Sequence, residues 1–510
     1  MELNWLDIVV FVLFIVAVIG TSMYKSRKEE TGEDYFLASR GLLWPLIGLS
    51  LIAANISTEQ FVGMSGQSAG NVGLAIASYE WMAAITLVIT AFFFLPKFLQ
   101  SGIYTIPEFL EYRYNRTARS LMAFYTMVIY VGVTIAAVLY SGGLTIYTIF
   151  DIDLTTSVWL VGILAALYTT WGGLKAVAWA DLFQGSALIL GGLVVMVFGF
   201  VAVGGPSGFM EHNADKMHMI LPADHPVLPW TALVIGLWIP NFYYWGLNQY
   251  ITQRTLAAKT LRQGQLGIIF AAGLKLIIPF IIVVPGIMAA QLYGGQMGTS
   301  DAAYPLLIRN LIPIGLRGFM FAAIAGAVMS SLASMLNSAA TIFTMDLYRQ
   351  YIKRDASQKT LVTIGRSMTL VFVLIGCIIA PSLGDPKFQG IFTYIQEFQG
   401  YISPGVLAAF VFGLLVKRAP AAAGVTALVL TVPVYGFLQW QFGEIAFLNR
   451  MAITFVIVLL AMWIITLMRP LKTEKVLPVR ADYDMTPTPQ VLWLGIAVVV
   501  ITLFLYIIFW

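Results

Sequence analysis

Glu80 and Lys275 each sit alone in apolar surroundings. No charge follows Glu80 until Lys97, and Lys275 has no charged neighbour between Arg262 and Asp301. A carboxylate or an ammonium at that depth in a membrane is expensive and needs a partner. Two readings stand side by side: the charges meet at a solute site, or each ties its helix to a neighbour. Neutral hydrogen-bonding groups occur at equally apolar positions. The run from Leu49 to Gln60 carries Asn55, Ser57, Thr58, Glu59 and Gln60 where a plain span would place Leu, Val or Phe. In hydrocarbon such groups must line a protein-enclosed cavity, which predicts a broken helix there. Asn241, Asn248 and Gln249 interleave with Phe242, Tyr243, Tyr244 and Trp245, and Gln396 follows Thr393 and Tyr394. Amides beside aromatic faces suit a sugar, whose hydroxyls need donors and acceptors while its C–H face packs on a ring; the alternative is an aromatic belt at the lipid interface.

A second chemistry is that of a hard monovalent cation. Ser330 and Ser331 offer hydroxyls. An unwound chain at Ala53 and Ile56 would offer carbonyls, as would Ala327, and such neutral oxygens suit sodium. The competing explanation is that Ser and Ala let helices pack closely. Asp181 lies toward the inner end of its apolar stretch, where it could relay a cation or serve as a helix-start acid. His212, His218 and His225 share one polar stretch at irregular spacing without cysteine, and read as a solvated loop. No nucleophile–base pair or cofactor loop stands out, so neither an enzyme nor a bound cofactor is expected.

The elements that must hold these groups follow from composition. Of 510 residues 59% are hydrophobic and 11% charged, too apolar for a soluble core. The apolar residues fall into fourteen stretches long enough to cross a bilayer, without strand signals of useful length. The class is therefore an all-α membrane protein in contact with a lipid bilayer, and its scattered basic residues give no reason to expect nucleic acid. The stretch Trp5 to Met23 follows Glu2 and Asp7 rather than a basic leader and reads as a retained span. With the N-terminus outside, only Lys216, Arg309, Arg317, Lys387 and Arg450 of the 29 Lys and Arg fall on outer loops, and Lys275 lies within the membrane. The rest fall on inner loops, among them Arg27, Lys28, Arg254, Lys259 and Arg262, which predicts both termini outside.

Stretches two to six and seven to eleven form two sets of five that enter from opposite sides. Each opens with an interruption, at 53–57 and at Trp238-Ile239-Pro240-Asn241 with Gly246, where Pro240 removes an amide hydrogen and frees a carbonyl. Paired interruptions of this kind point to an inverted-repeat transporter with a midplane site. The division is 1–41 for an extra helix and inner loop, 42–203 and 229–416 for the repeats, 204–228 for an outer loop and 417–510 for further helices. A short surface helix is expected between Gln291 and Pro313.

Several runs resemble one family in order along essentially the whole chain. They are Ser50-Leu51-Ile52-Ala53-Ala54-Asn55-Ile56-Ser57, Ala77-Ser78-Tyr79-Glu80-Trp81, Gly172-Gly173-Leu174-Lys175-Ala176-Val177, Asn241 to Trp245, and Ser330-Ser331-Leu332-Ala333-Ser334. The family is the sodium/solute symporters, and the likeness is greatest to bacterial sodium/galactose (glucose) members. It implies a LeuT-like five-plus-five core in a bacterial plasma (inner) membrane, carrying one sodium with each hexose. It also implies a sugar shell of Gln60, Glu80, Asn241, Lys275 and Gln396 with Asn55 nearby. Tyr244, held by Asn55, would be the inner gate; Met64, Tyr79 and Phe392 would be the outer lid. Sodium would take Ala53, Ile56, Ala327, Ser330 and Ser331, and a second sodium at Asp181 and Ser334 is disfavoured because Ala333 has no hydroxyl. Ala83 departs from the pattern, since sugar-carrying members have serine there. The alternatives are a sodium symporter for an amino acid, a carboxylate or sialic acid, or a sugar-gated channel or sensor. An anion would suit Lys275 but not Glu80, and no ring of acids suggests a pore.

Overall fold

The computed structural model describes residues 5–26, 32–57, 60–150, 152–384, 391–480, 483–486 and 488–510. Thr58 and Glu59 of the first interruption, and Arg27, Lys28 and Lys387 among the flanking charges, lie outside the described residues. Among the described residues there is no strand, only an isolated bridge between Leu42 and Ala258.

The helices used below are α1 Trp5–Lys25, α2 Trp44–Asn55, α3 Gln60–Ala69, α4 Gly73–Ser101, α5 Arg116–Tyr147 and α6 Leu154–Ala202. After them come α7 Trp238–Phe242, α8 Gln249–Leu256, α9 Leu261–Tyr293, α10 Ala303–Leu311, α11 Leu316–Ile342 and α12 Gln358–Ile379. The last are α13 Ile391–Gln399, α14 Ser403–Leu415, α15 Ala421–Gln441, α16 Phe447–Met468 and α17 Pro489–Ile508. Among the described residues ten helices are long and apolar enough to cross a membrane, or twelve if α2–α3 and α13–α14 each count as one bent span. Two of the fourteen expected stretches take another form. The stretch at 156–171 holds the shorter helix Leu154–Ala166, and that at 229–252 is divided among short pieces.

Local chemistry explains the divisions. α6 breaks at Gly173, whose φ of 52° suits a residue without Cβ. Asp153 caps its start by accepting from the Thr156 amide at 3.0 Å. The expected helix between Gln291 and Pro313 is α10. Pro240 falls within the first turn of α7, where its missing N–H would be unsatisfied anyway. The interruption lies on either side of it: the turn before Trp238, and Asn248 at ψ 121° after the π-turn Tyr243–Leu247. The expectation that Pro240 makes the break is corrected in this way.

Small residues set the packing at the centre. A Cβ on Gly48 would lie 2.8 Å from the Gly267 carbonyl, so α2 and α9 approach backbone to backbone. Ser68 Oγ donates to the Val283 carbonyl at 2.9 Å, and a Cβ on Gly286 would collide with the Ser65 carbonyl, so α3 is pressed to the same helix. α1 joins through buried Asp7, which accepts from the amides of Gly315 and Gly318 at 2.8 Å each, at the N-terminus of α11. Cys377 is buried, as its apolar run suggests.

Candidate functional site

Three π-turns meet around an internal cavity. Gln60–Met64 supplies Gln60 and Met64, Tyr130–Thr134 supplies Thr134, and Tyr243–Leu247 supplies Tyr244 and Trp245. A π-turn widens the helix by one residue and aims side chains away from the helical register, and such turns recur at functional sites. Asn55, Tyr79, Glu80, Asn241, Phe392 and Gln396 complete the expected part of the lining. The cavity volume is about 50 Å³, room for only a few waters.

Much of the lining is aromatic. Asn55 Nδ2 donates to the Tyr244 hydroxyl at 3.0 Å, and the Tyr250 hydroxyl donates to the same oxygen at 2.5 Å. Tyr79 and Phe392 meet edge to face, and both line the cavity together with buried Met64. Gln60 Nε2 donates to Asn55 Oδ1 at 3.1 Å and to Glu80 Oε1 at 3.2 Å.

Lys275 stands apart from the expected shell. It is fully buried and does not line the cavity. Its ammonium donates to Glu80 Oε2 and Asn55 Oδ1 and lies 4.7 Å from the centre of the Trp245 ring. In this arrangement it orders the acid and the amide rather than facing a solute.

Several lining atoms lack a partner. Gln60 Oε1, Gln396 Oε1, Gln399 Oε1 and the Tyr79 hydroxyl are buried without a hydrogen-bond partner among the described residues. Buried polar atoms in native structures are overwhelmingly satisfied, so such a cluster marks a place built for a hydrogen-bonding guest. Trp245, from the run of aromatics and amides read as suited to a sugar, lines the cavity; Gln399, Thr134 and Tyr250 also line it but escaped the sequence reading. The short spacing of Gln396 and Gln399 on α13 was the available signal for Gln399.

The expected cation ligands lie beside the first break. α2 ends because Ile56 turns to ψ 88°. The Ser57 amide, which in a continued helix would bond the Ala53 carbonyl, bonds Asn55 O at 2.9 Å instead. The Gln60 amide likewise bonds Ser57 O at 3.1 Å rather than the Ile56 carbonyl. Both carbonyls thereby lose their helical partners. Ser331 Oγ donates to the Ala54 carbonyl at 3.2 Å, and Ser330 Oγ donates to Asp181 Oδ1 at 2.5 Å. Each hydroxyl points its proton at an acceptor and turns its lone pairs away from it, the orientation in which it binds a cation.

Asp181 is neither at a helix start nor free. It lies within α6, eight residues past the Gly173 break, is fully buried, and pairs with Arg254 at 3.2 Å. Arg254 also donates to Ser334 Oγ at 2.6 Å, so both groups of the disfavoured second sodium position are engaged by a guanidinium. The stretch read as a loop carries a helix, Gly205–Asn213, that holds His212, and His212, His218 and His225 each contact separate backbone groups.

A sequence profile of the sodium:solute symporter family matches residues 35–430. The sodium/glucose cotransporter of Vibrio parahaemolyticus is 44% identical over 484 residues, covering 89% of this chain and 88% of that protein. The sodium/myo-inositol cotransporter 2 of Oryctolagus cuniculus is 35% identical over 473 residues, covering 85% of this chain and 69% of that protein. In three dimensions a Na+-coupled sialic acid symporter, solved substrate-bound and outward-open, matches with a TM-score of 0.83 at 23% identity over 92% of this chain and 100% of its own. At that identity the likeness speaks for the fold, which is that of the LeuT-like transporters.

Proposed function

The chain belongs to the sodium:solute symporter family, sodium-coupled multi-pass membrane transporters rather than enzymes, and from that premise we propose that it carries a hexose, galactose or glucose, inward with one sodium. The observation that carries the choice of a sugar is the set of buried oxygens at Gln60, Gln396, Gln399 and Tyr79 that lack partners. A polyhydroxylated ring supplies the missing donors. The paired Lys275 and Glu80 leave no net charge for an ionic cargo.

Sodium binds first, at the carbonyls of Ala53, Ile56 and Ala327 and the hydroxyls of Ser330 and Ser331. It pins the break between α2 and α3 and so orders Asn55 and Gln60, beside which the sugar then binds. The roof of Met64, Tyr79 and Phe392 closes over it, and on the inner side Tyr244 moves aside to release it. A cavity that holds only a few waters must widen to take a pyranose. One charge crossing 100 mV supplies about 2.3 kcal/mol, and a tenfold sodium gradient adds about 1.4 kcal/mol. Together these support accumulation on the order of several hundred-fold.

The topology that goes with this function has fourteen spans with both termini outside, in a bacterial plasma membrane. Residues 42–203 and 229–416 act as the inverted repeats. A second reading is a cyclic polyol as cargo, favoured by the 35% identity to a sodium/myo-inositol cotransporter; the same unpartnered oxygens would serve it. Uptake into sealed proteoliposomes, with and without a sodium gradient and with galactose, glucose, myo-inositol, proline and sialic acid as competitors, tests both. Competition by proline or sialic acid but not by galactose or glucose would sink the hexose reading.

A further inference from the structure

Arg254 is the largest fully buried charged side chain among the described residues, and its whole guanidinium is engaged. Nε donates to Ser50 Oγ at 2.5 Å, Nη1 donates to the Tyr250 carbonyl, and Nη2 reaches Ser334 Oγ at 2.6 Å and Asp181 Oδ2 at 3.2 Å. Asp181 also accepts from Ser50 and from Ser330, each at 2.5 Å. Both ions are fully buried.

We propose that Arg254 is a built-in cation that alternates with sodium in neutralising Asp181, and so ties the cation site to the helix whose Tyr250 holds the inner gate. The inference rests on the sodium-coupled reading above. A fully buried carboxylate needs a positive partner at every stage of a cycle, because an unpaired one is strongly destabilising. Sodium held by Ser330 would sit one hydroxyl away from Asp181. Guanidinium and sodium together would set two positive charges against one negative charge in a medium that screens poorly. The two cations therefore compete, and the departure of one draws in the other.

Geometry supplies the link to the gate. Arg254 belongs to α8, immediately after the interruption at Asn248. The backbone carbonyl of Tyr250 takes Arg254, and the hydroxyl of the same residue holds Tyr244. The route from Ser330 runs through Asp181, Arg254 and Tyr250 to Tyr244, without a gap in hydrogen bonding. A shift of α8 as Arg254 leaves or meets Asp181 would reach Tyr244 directly. A purely structural ion pair between α6 and α8 would hold the fold but leave the affinity for sodium untouched, and this separates the two explanations.

The experiment uses the full chain. Half-saturating sodium is read from sodium-dependent thermal stabilisation in detergent, which needs no sugar, so a wrong hexose leaves it intact. A wild type that sodium does not stabilise would overturn the sodium reading, and this inference with it. Given a sodium effect, Arg254→Gln should lower half-saturating sodium about five- to tenfold, because the competitor is gone. Asp181→Asn should raise it by a similar factor, and the double variant should return toward wild type. In proteoliposomes Arg254→Gln should slow net uptake more than sugar exchange with sodium on both sides, because exchange does not require the empty site to reset. Unchanged or raised half-saturation in Arg254→Gln overturns the proposal. Should that variant fail to fold, Asp181→Asn decides alone: no rise in half-saturating sodium overturns it.

Discussion

The ring of Tyr79 meets that of Phe392 edge on, with centroids 4.9 Å apart and planes at 89°. Tyr79 comes from α4 and Phe392 from α13, so this contact joins two helices far apart in sequence across one side of the cavity. An edge-to-face pair is worth about 0.5–1.5 kcal/mol beyond its buried area. If it acts as the roof, Phe392→Ala should raise the KM for sugar about two- to tenfold and leave half-saturating sodium where it was. Uptake kinetics at saturating sodium check this; an unchanged KM would remove Phe392 from the roof.

Glu80 and Lys275 give a stability prediction that does not depend on the cargo. Removing one member of a buried ion pair strands the other, at a cost of about 3–5 kcal/mol. Glu80→Ala or Lys275→Ala alone should therefore depress thermal stability sharply. Replacing both, as Glu80→Gln with Lys275→Met, should recover much of it while abolishing sugar uptake. Singles and double of equal stability would mean that the pair contributes little to the fold.

At the cation site, Ser331→Ala removes a hydroxyl that donates a hydrogen bond to the Ala54 carbonyl. The expected result is a folded protein whose uptake no longer responds to sodium over the range that saturates the wild type, half-saturation being raised at least tenfold, or about 1.4 kcal/mol. Sodium-driven uptake at the wild-type level would falsify the assignment of Ser331 as a ligand.

Asp301 gives the pH dependence. It lies in the 3₁₀ turn Ser300–Ala302 just before α10, accepts from the Ile391 amide at 3.4 Å and crowds Gly66 on α3. Burial pushes its carboxyl up to about 6, only partly offset by the Ile391 amide. A carboxyl whose pKa is higher folded than unfolded binds protons more tightly in the native state, so its contribution to stability grows as pH falls from about 6 toward the ordinary 3.8. Above about pH 6 that contribution is lost. Thermal stability of the wild type minus that of Asp301→Asn should accordingly become more favourable as pH falls from 7 to 5, a trend read by melting both proteins in the same buffers. A flat difference would mean that Asp301 is not held in the buried position.

Much of the cavity was legible because polarity in an apolar run has few explanations. Asn55, Gln60 and Glu80 declared themselves in that way, and the structure brings them to one cavity. Arg254 did not. Beside Lys259 and Arg262 it reads as one more inner-loop charge, and only the tertiary fold shows it with no exposed surface. Arg450 was equally hidden: counted among outer-loop cations, it is buried against Glu397 at 2.8 Å. Charge position along a chain reports membrane sidedness, whereas pairing depends on which helices become neighbours. Pro240 misled for a related reason, since a proline breaks a helix interior but is at home in a first turn. Ala83 is fully buried and outside the cavity lining; the contact that a serine would add there cannot be read from sequence spacing.

The close approach of α9 to both halves of the first broken span bears on what can move. Gly48 and Gly267 fit α2 to α9 on one side of the break, Ser68 and Gly286 fit α3 to it on the other, and Lys275 reaches Asn55 at the break itself. The bend is thereby splinted rather than articulated. Displacement must occur at the seams this splint shares with α6, α11 and α13, so a covalent staple between α3 and α9 should leave turnover intact, while one between α3 and α13 should arrest it.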